Sequence, residues 1–301
     1  MSTATLRKSR RHGFGVGKAV IYLVLGLFAL TIVIAFWHLL NLSLSPSYIA
    51  TKGGLLLYPK DLTWDNYAKV IRNRYIWIGY KNTLIRTVVG TALQLFFTAM
   101  GAYCLSKKFF SHRTFWTFLI VFTMFFSGGL IPNYLLVKNL KLLNTYAAMI
   151  LPGFISAYNL VIMRNYFQSL PEEIEESCLI DGAGRFRIFL QIILPLSKPI
   201  LATVALWLAV GHWNAWYDVL LYVSDDSMFT LQVVLRRIII TGSKEMLDTD
   251  IASRAGEADS MVSSEGLKAA CIFVTTLPIL CVYPFIQRYF VKGIMIGSLK
   301  G

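Results

Sequence analysis

The sequence predicts an all-α integral membrane protein of six transmembrane helices, with one polar helix-turn-helix projecting between the fourth and fifth. Three observations carry this expectation. The first is composition: 56% of the 301 residues are hydrophobic and 15% are charged, against about 25% charged in an ordinary soluble domain. The second is a set of uncharged apolar runs long enough to cross a hydrocarbon core of about 30 Å as helix. They are Val20 to Trp37, Thr87 to Leu105, Thr114 to Val137, Thr145 to Met163, Ile200 to Tyr217 and Ala269 to Ile286. The third is a stretch that cannot lie among them, Glu175 to Pro199, EESCLIDGAGRFRIFLQIILPLSKP. Asp181, Arg185, Arg187 and Lys198 would together cost roughly 10 kcal/mol or more at the centre of a bilayer, so this stretch lies outside it.

The first run follows Arg7, Lys8, Arg10, Arg11 and Lys18. It exceeds the usual length of a signal-peptide core, and no A-x-A-like site follows at Asn41 to Ser47, so an uncleaved anchor is expected. Basic residues mark the cytoplasmic side, which makes residues 1–19 a cytoplasmic basic tail. Residues 20–290 then form the six-span domain, and 291–301 are a second cytoplasmic tail. Alternation puts Lys107, Lys108 and Arg113 inside, followed by the polar segment, counted as residues 164–199. Residues 43–82 become an external loop with strand and turn signals, ending in an interfacial aromatic patch of Tyr75, Trp77 and Tyr80. Ser127, Gly128, Gly129 and Pro132 interrupt the third run, which predicts a kink or break, with irregular packing as the alternative. Residues 224–268 form a second external segment, acidic in its latter half. Arg86 and Asp218 stand near span ends, where the interface is within reach.

Several functions are disfavoured. A net charge of +13 invites nucleic acid, but the basic residues are scattered over every loop, without a stripe of interleaved aromatics. Cys104, Cys178, Cys271 and Cys281 show no C-x-x-C spacing and read as packing thiols. Gly13 to Lys18, GFGVGK, lacks the first glycine and the final Ser or Thr of a phosphate loop. No H-E-x-x-H or G-x-S-x-G occurs, and His12, His38, His112 and His212 have no ligand-like spacing. Asp248 and Asp250 are not completed to a calcium loop. The chain reads as a non-enzyme without cofactor or metal.

Within the polar segment, Ser169-Leu-Pro-Glu172 has capping-box spacing, with Pro171 suited to a first turn. Glu172, Glu173, Glu175 and Glu176 complement the positive helix end. This helix should stop near Gly182, with Gly184 a second permissive position. The next should place Phe186, Phe189, Leu190 and Ile193 on one face, with Arg187 and Gln191 opposite. Pro195 and Pro199 then turn the chain back into the membrane.

These residues resemble the E-A-A-x3-G-x9-I-x-L-P signature of permease subunits of bacterial ATP-driven importers. Glu176, Ser177 and Cys178 stand at E-A-A, Gly182 at the glycine, and Ile192, Leu194 and Pro195 at I-x-L-P. Ser177 and Cys178 depart from the pattern, though both remain small. The likeness covers nearly the whole chain and is greatest for maltose-type carbohydrate permeases, through Leu140 to Thr145, Arg164 to Pro171, Ile180 to Ala183 and Lys292 to Gly301. It implies a multi-pass subunit of the bacterial cytoplasmic (inner) membrane with both termini inside. The implied partners are a second homologous permease, two ATPase subunits that hold ATP and Mg, an extracytoplasmic sugar-binding protein and an oligosaccharide. It also implies that Glu176, Ser177, Cys178, Asp181, Gly182, Ala183, Arg185, Ile192, Leu194 and Pro195 couple the chain to the ATPases. Residues 224–268 resemble the family's loop that engages the binding protein.

The fifth run ends in Gly211-His-Trp-Asn-Ala-Trp-Tyr-Asp218. Aromatic faces beside amides and acids hold sugars by stacking and hydrogen bonding, so Trp213, Asn214, Trp216, Tyr217 and Asp218 are candidate pathway residues. An interfacial aromatic belt is the alternative for Trp216 and Tyr217. The expected function is one half of a heterodimeric oligosaccharide importer, the sugar resembling plant or algal material and including acidic forms. Import of another solute is the runner-up. A secondary transporter would need intramembrane ionisable groups and repeated halves, neither of which the sequence displays.

Overall fold

The computed structural model describes residues 16–58, 61–240 and 265–281. These residues are helical or loop, with no strand among them. The helices run α1 (Val16–Ser43), α2 (Ser47–Ala50), α3 (Asp65–Arg72), α4 (Arg74–Ser106), α5 (Arg113–Phe125), α6 (Leu130–Asn139), α7 (Tyr146–Ile150) and α8 (Ala157–Gln168). After these come α9 (Glu172–Ile180), α10 (Arg185–Ile188), a π turn (Phe189–Ile193), α11 (Leu194–Leu196), α12 (Lys198–Asn214), α13 (Tyr217–Tyr222) and α14 (Leu231–Ile240). Residues 265–281 form α15. The chain divides into two compact units: 1–69 with 254–270, and 70–253 with 271–301.

In the first unit α1 is apolar all round, and none of its spanning window is buried against the protein, the pattern of a helix whose solvent is hydrocarbon. The segment after it shows no strand. Leu55 to Tyr58 meet no partner strand; side chains of α1 hold this backbone instead. Trp37 Nε1 donates to the Leu57 carbonyl at 2.7 Å, Asn41 Nδ2 to the Leu56 carbonyl at 3.0 Å, and the Leu56 amide to His38 Nδ1 at 3.0 Å. Residues 43–82 also include α2, α3 and the start of α4 at Arg74, where the Asn73 side chain accepts from the Tyr75 amide.

The second unit is built on α4, whose 33 residues extend about 50 Å at 1.5 Å per residue. Helices α5, α8, α12 and α14 all pack against it. Among the described residues, α1 and α4 each suffice by length and composition to cross a membrane, and two bent pairs raise the number to as many as four. One pair is α5 with α6, bent by 114°. The break expected in the third run is therefore present; Gly129 makes it with φ 86°, while Pro132 sits harmlessly in the first turn of α6, where no amide partner is lost. The other pair brings residues 185–196 against α12 at 84°. The fourth run is not one helix: Pro152 and Gly153 (φ 71°) separate α7 from α8, each restarted by a hydroxyl cap, Thr145 and Ser156. The sixth run is helical to residue 281, its remainder lying outside the described residues.

Close approach of α12 to α4 depends on Gly90. A Cβ there would stand 2.6 Å from His212 Nε2, too near for any rotamer adjustment to be free. Gly90→Ala is expected to destabilise the protein by about 1–3 kcal/mol, the usual range for overpacking. In thermal unfolding of the purified protein in detergent, the Gly90→Ala/His212→Ala pair should lose less than the sum of its singles, because the second change vacates the space claimed by the first.

Candidate functional site

The polar segment folds as a helix, a tight turn and a second helix. Ser169 does not form a capping box, since its hydroxyl donates to the Tyr166 carbonyl (2.7 Å) and closes α8. Pro171, the residue before α9, holds an extended conformation, and Glu172, Glu173 and Glu175 occupy the first turn, where they offset the exposed amides. Helix α9 stops at a Schellman turn. The Ala183 amide donates to the Cys178 carbonyl at 2.9 Å and the Gly182 amide to Leu179 at 3.0 Å, with Gly182 left-handed at φ 80°, the conformation glycine adopts without strain.

The second helix differs from the expected face. The π turn over Phe189 to Ile193 widens the helix by one residue and brings Ile193 to the buried side, where Ile188 and Phe189 also lie. Phe186 and Leu190 are exposed, at 59% and 38%. Arg187 and Gln191 do share the outer side, joined by a 2.9 Å hydrogen bond. Among the signature residues, Cys178, Ala183, Ile192 and Leu194 rest against a core that includes Tyr103, Met163 and Phe167. Glu176, Ser177, Asp181, Gly182, Arg185 and Pro195 are exposed. The tip presents Leu179 and Ile180, the latter 87% exposed.

Sequence reasoning missed what holds this knob. Lys107 and Lys108, just after α4, face the acidic first turn of α9. Glu175 pairs with Lys107, both side chains only 12% exposed, and accepts from the Tyr103 hydroxyl at 3.3 Å. Glu172 pairs with Lys108 at the surface, 2.8 Å apart, and the Arg185 guanidinium lies 3.4 Å from the Phe109 ring centre. The signal was there as two lysines and four glutamates, but it joins positions 64 to 68 residues apart. The hydrogen bond from Lys108, and then its charge, hold the Glu172 carboxyl below its ordinary value. This contact therefore contributes above the ordinary carboxylate range and is lost only as pH falls through the depressed value.

The candidate pathway residues divide into two groups. Trp213 is buried, with no hydrogen-bond partner for its indole N–H among the described residues. Asp218 pairs with Arg86, which is 3% exposed. The α12–α13 break at Ala215 and Trp216 turns Asp218 onto α4, so the two charges expected near span ends meet each other. Arg86 Nε also donates to His212 Nδ1 at 3.3 Å, and His212 Nε2 meets Gln94 at 3.1 Å. Asn214 and Tyr217 are exposed, Trp216 meets Tyr217 edge-on at 5.6 Å, and the Arg236 guanidinium stacks 3.8 Å over Trp216. Asn144, within the LKLLNT stretch, anchors the exit from α13: its Oδ1 accepts from the Ser224 amide at 2.7 Å and the Asp225 amide at 3.3 Å.

A small-residue knob with a left-handed glycine, clamped beneath a helical bundle, narrows the comparison with known proteins. Residues 109–296 match the sequence profile of the binding-protein-dependent transport system inner membrane component. The chain belongs to this family. It is 42% identical over 276 residues to protein LplC of Bacillus subtilis strain 168, covering 92% of each chain. It is 40% identical to the polygalacturonan/rhamnogalacturonan transport system permease protein YtcP of the same organism, covering 94% of this chain and 97% of that one. A bacterial ABC transporter involved in the import of the acidic polysaccharide alginate has a chain that superposes with TM-score 0.84 at 31% identity, covering 96% of this chain and 100% of that one.

Two outcomes follow for this transport component. Gly182→Ala meets no atom within 4 Å, so its cost is backbone strain alone, about 1–2 kcal/mol; Gly182→Asn should cost less, read by thermal unfolding in detergent. Asp218→Ala leaves the Arg86 charge buried and unpaired, a loss of about 3 kcal/mol, at the low end for a broken buried pair because the Asp218 side chain keeps 30% exposure.

Proposed function

We propose that this chain is the permease half of an ATP-driven, binding-protein-dependent importer of oligosaccharides, working beside a second homologous permease and two ATPase subunits. The carbohydrate assignment is supported by the relatives. One belongs to a polygalacturonan/rhamnogalacturonan system and another to a transporter of an acidic polysaccharide. On this reading six spans cross the bacterial inner membrane, both termini and residues 164–199 face the cytoplasm, and ATP and Mg bind on the partner ATPases. The observation that carries the reading is the knob: a rigid, glycine-capped tip with exposed Leu179, Ile180 and Phe186, set among polar residues, suits docking into a cleft of a cytoplasmic ATPase.

Transport then follows from rigid-body motion. Closure of the ATPases displaces α9, and the bend at Ser197 passes the thrust to α12, shifting the bundle between inward- and outward-facing states. Asn214, Trp216 and Tyr217 supply an exposed aromatic and amide surface for sugar, while Trp213 and Asp218 support it from behind. The binding protein engages the segment that includes 241–264, which lies outside the described residues. The Arg86–Asp218 pair introduces intramembrane charge, yet each partner neutralises the other. The Asp218 carboxylate is held by Arg86 and is not free for ion coupling, so the pair does not favour a secondary carrier.

In vesicles containing the full transporter, ATPase turnover should rise with a binding protein loaded with its oligosaccharide, tested across a panel of sugars. Gly182→Asp should sever hydrolysis from uptake while the chain remains in the membrane. Wild-type uptake by that variant would remove the docking role.

A further inference from the structure

Thrust entering the knob has a second exit. Besides the covalent route through Ser197 into α12, the knob touches the end of α4 by a half-hidden polar contact. Glu175 on α9 pairs with Lys107, both side chains 12% exposed. The Tyr103 hydroxyl reaches the same carboxylate at 3.3 Å, and the Lys107 ammonium lies 5.1 Å from the centre of the Tyr103 ring. Tyr103 is itself 5% exposed and its ring lies 5.2 Å from Phe189, on the knob's second helix. One aromatic residue of α4 is thus gripped by both helices of the knob.

We infer that Glu175 is a positioning residue that couples knob displacement to α4, through Lys107 and Tyr103, in parallel with the chain path into α12. The inference rests on the proposed docking of the knob to an ATPase. Its physical basis is stiffness. An ion pair largely withdrawn from water is screened far less than a surface pair, and removing one partner strands the other charge, so the contact resists separation and moves α4 with α9. The Glu172–Lys108 pair, with side chains 60% and 73% exposed, offers little such resistance. Because α4 also carries Arg86, about 26 Å along the helix from Tyr103 at 1.5 Å per residue, displacement of its end reaches the residues that hold the α12–α13 break.

The test uses the complete transporter in lipid nanodiscs, with hydrogen exchange of α4 and α12 peptides measured with and without Mg-ATP under conditions that block hydrolysis. Wild type should change exchange in both helices. Glu175→Gln should lose the nucleotide response at residues 99–106 and keep it in α12, and the Lys107→Glu/Glu175→Lys exchange should restore it. Lys107→Met is the second variant, expected to match Glu175→Gln, should the latter fail to assemble. A retained α4 response in these single variants overturns the inference, as does loss of both responses together, which would make the pair a support for the whole knob. If nucleotide changes nothing in wild type, the ATPase-docking reading itself fails.

Discussion

A guanidinium inside an apolar bundle must find its counter-charge there, and Arg86 does so in Asp218. Leaving either charge alone in that setting costs several kcal/mol, so the position of α13 relative to α4 is not free. The break at Ala215 and Trp216 satisfies this requirement. Had α12 continued as a straight helix, Asp218 would have been carried past α4; interrupting the helix brings the carboxylate round to Arg86 Nη1, 3.2 Å away. His212 accepts from the Arg86 Nε–H, Gln94 completes the imidazole, and Gly90 is the absence of a side chain that lets the ring approach. These residues convert one buried charge into a fixed relation among three helices.

The same helix is tied along its length by polar groups that have no water to turn to. Asn82 Nδ2 donates to the carbonyls of Ser227 and Phe229 at 2.9 and 3.0 Å, and its Oδ1 accepts from the Tyr146 hydroxyl at 2.6 Å. Thr83 Oγ1 receives the Leu231 amide at 2.9 Å, satisfying an otherwise orphaned donor at the start of α14. At the far end Tyr103 and Lys107 receive the knob. Because lipid supplies no hydrophobic drive between helices, such directed contacts help decide which helices neighbour α4, and in what register.

How much of this was legible in the sequence depended on the range of the interaction. The glycine cap of the knob was readable because Gly182 and its partners Cys178 and Leu179 lie within one turn. The broken third span was readable from Ser127-Gly-Gly, since glycine and proline act on their own backbone. The interruption of the fourth run was present in Pro152-Gly153 and was passed over because the surrounding hydropathy is unbroken. The strand signals after α1 misled for a related reason: propensity describes a residue's preference for a pleated surface, and no partner strand existed to provide one. Glu175 with Lys107, and Arg86 with Asp218, were invisible for want of any local sign that charges 68 and 132 residues apart would meet.

The π turn at Phe189 to Ile193 is the step that joins these levels. An ordinary helix from Arg185 would put Phe186, Phe189, Leu190 and Ile193 on one stripe. The widened turn rotates the residues after Phe189, so that Ile193 joins Ile188 and Phe189 on the buried side and Leu190 stays outside, as does Phe186 one turn earlier. One inserted residue thus lets a single short element serve two surfaces. Its inner face is held by Tyr103 and Phe167, and its outer face is free to meet a partner.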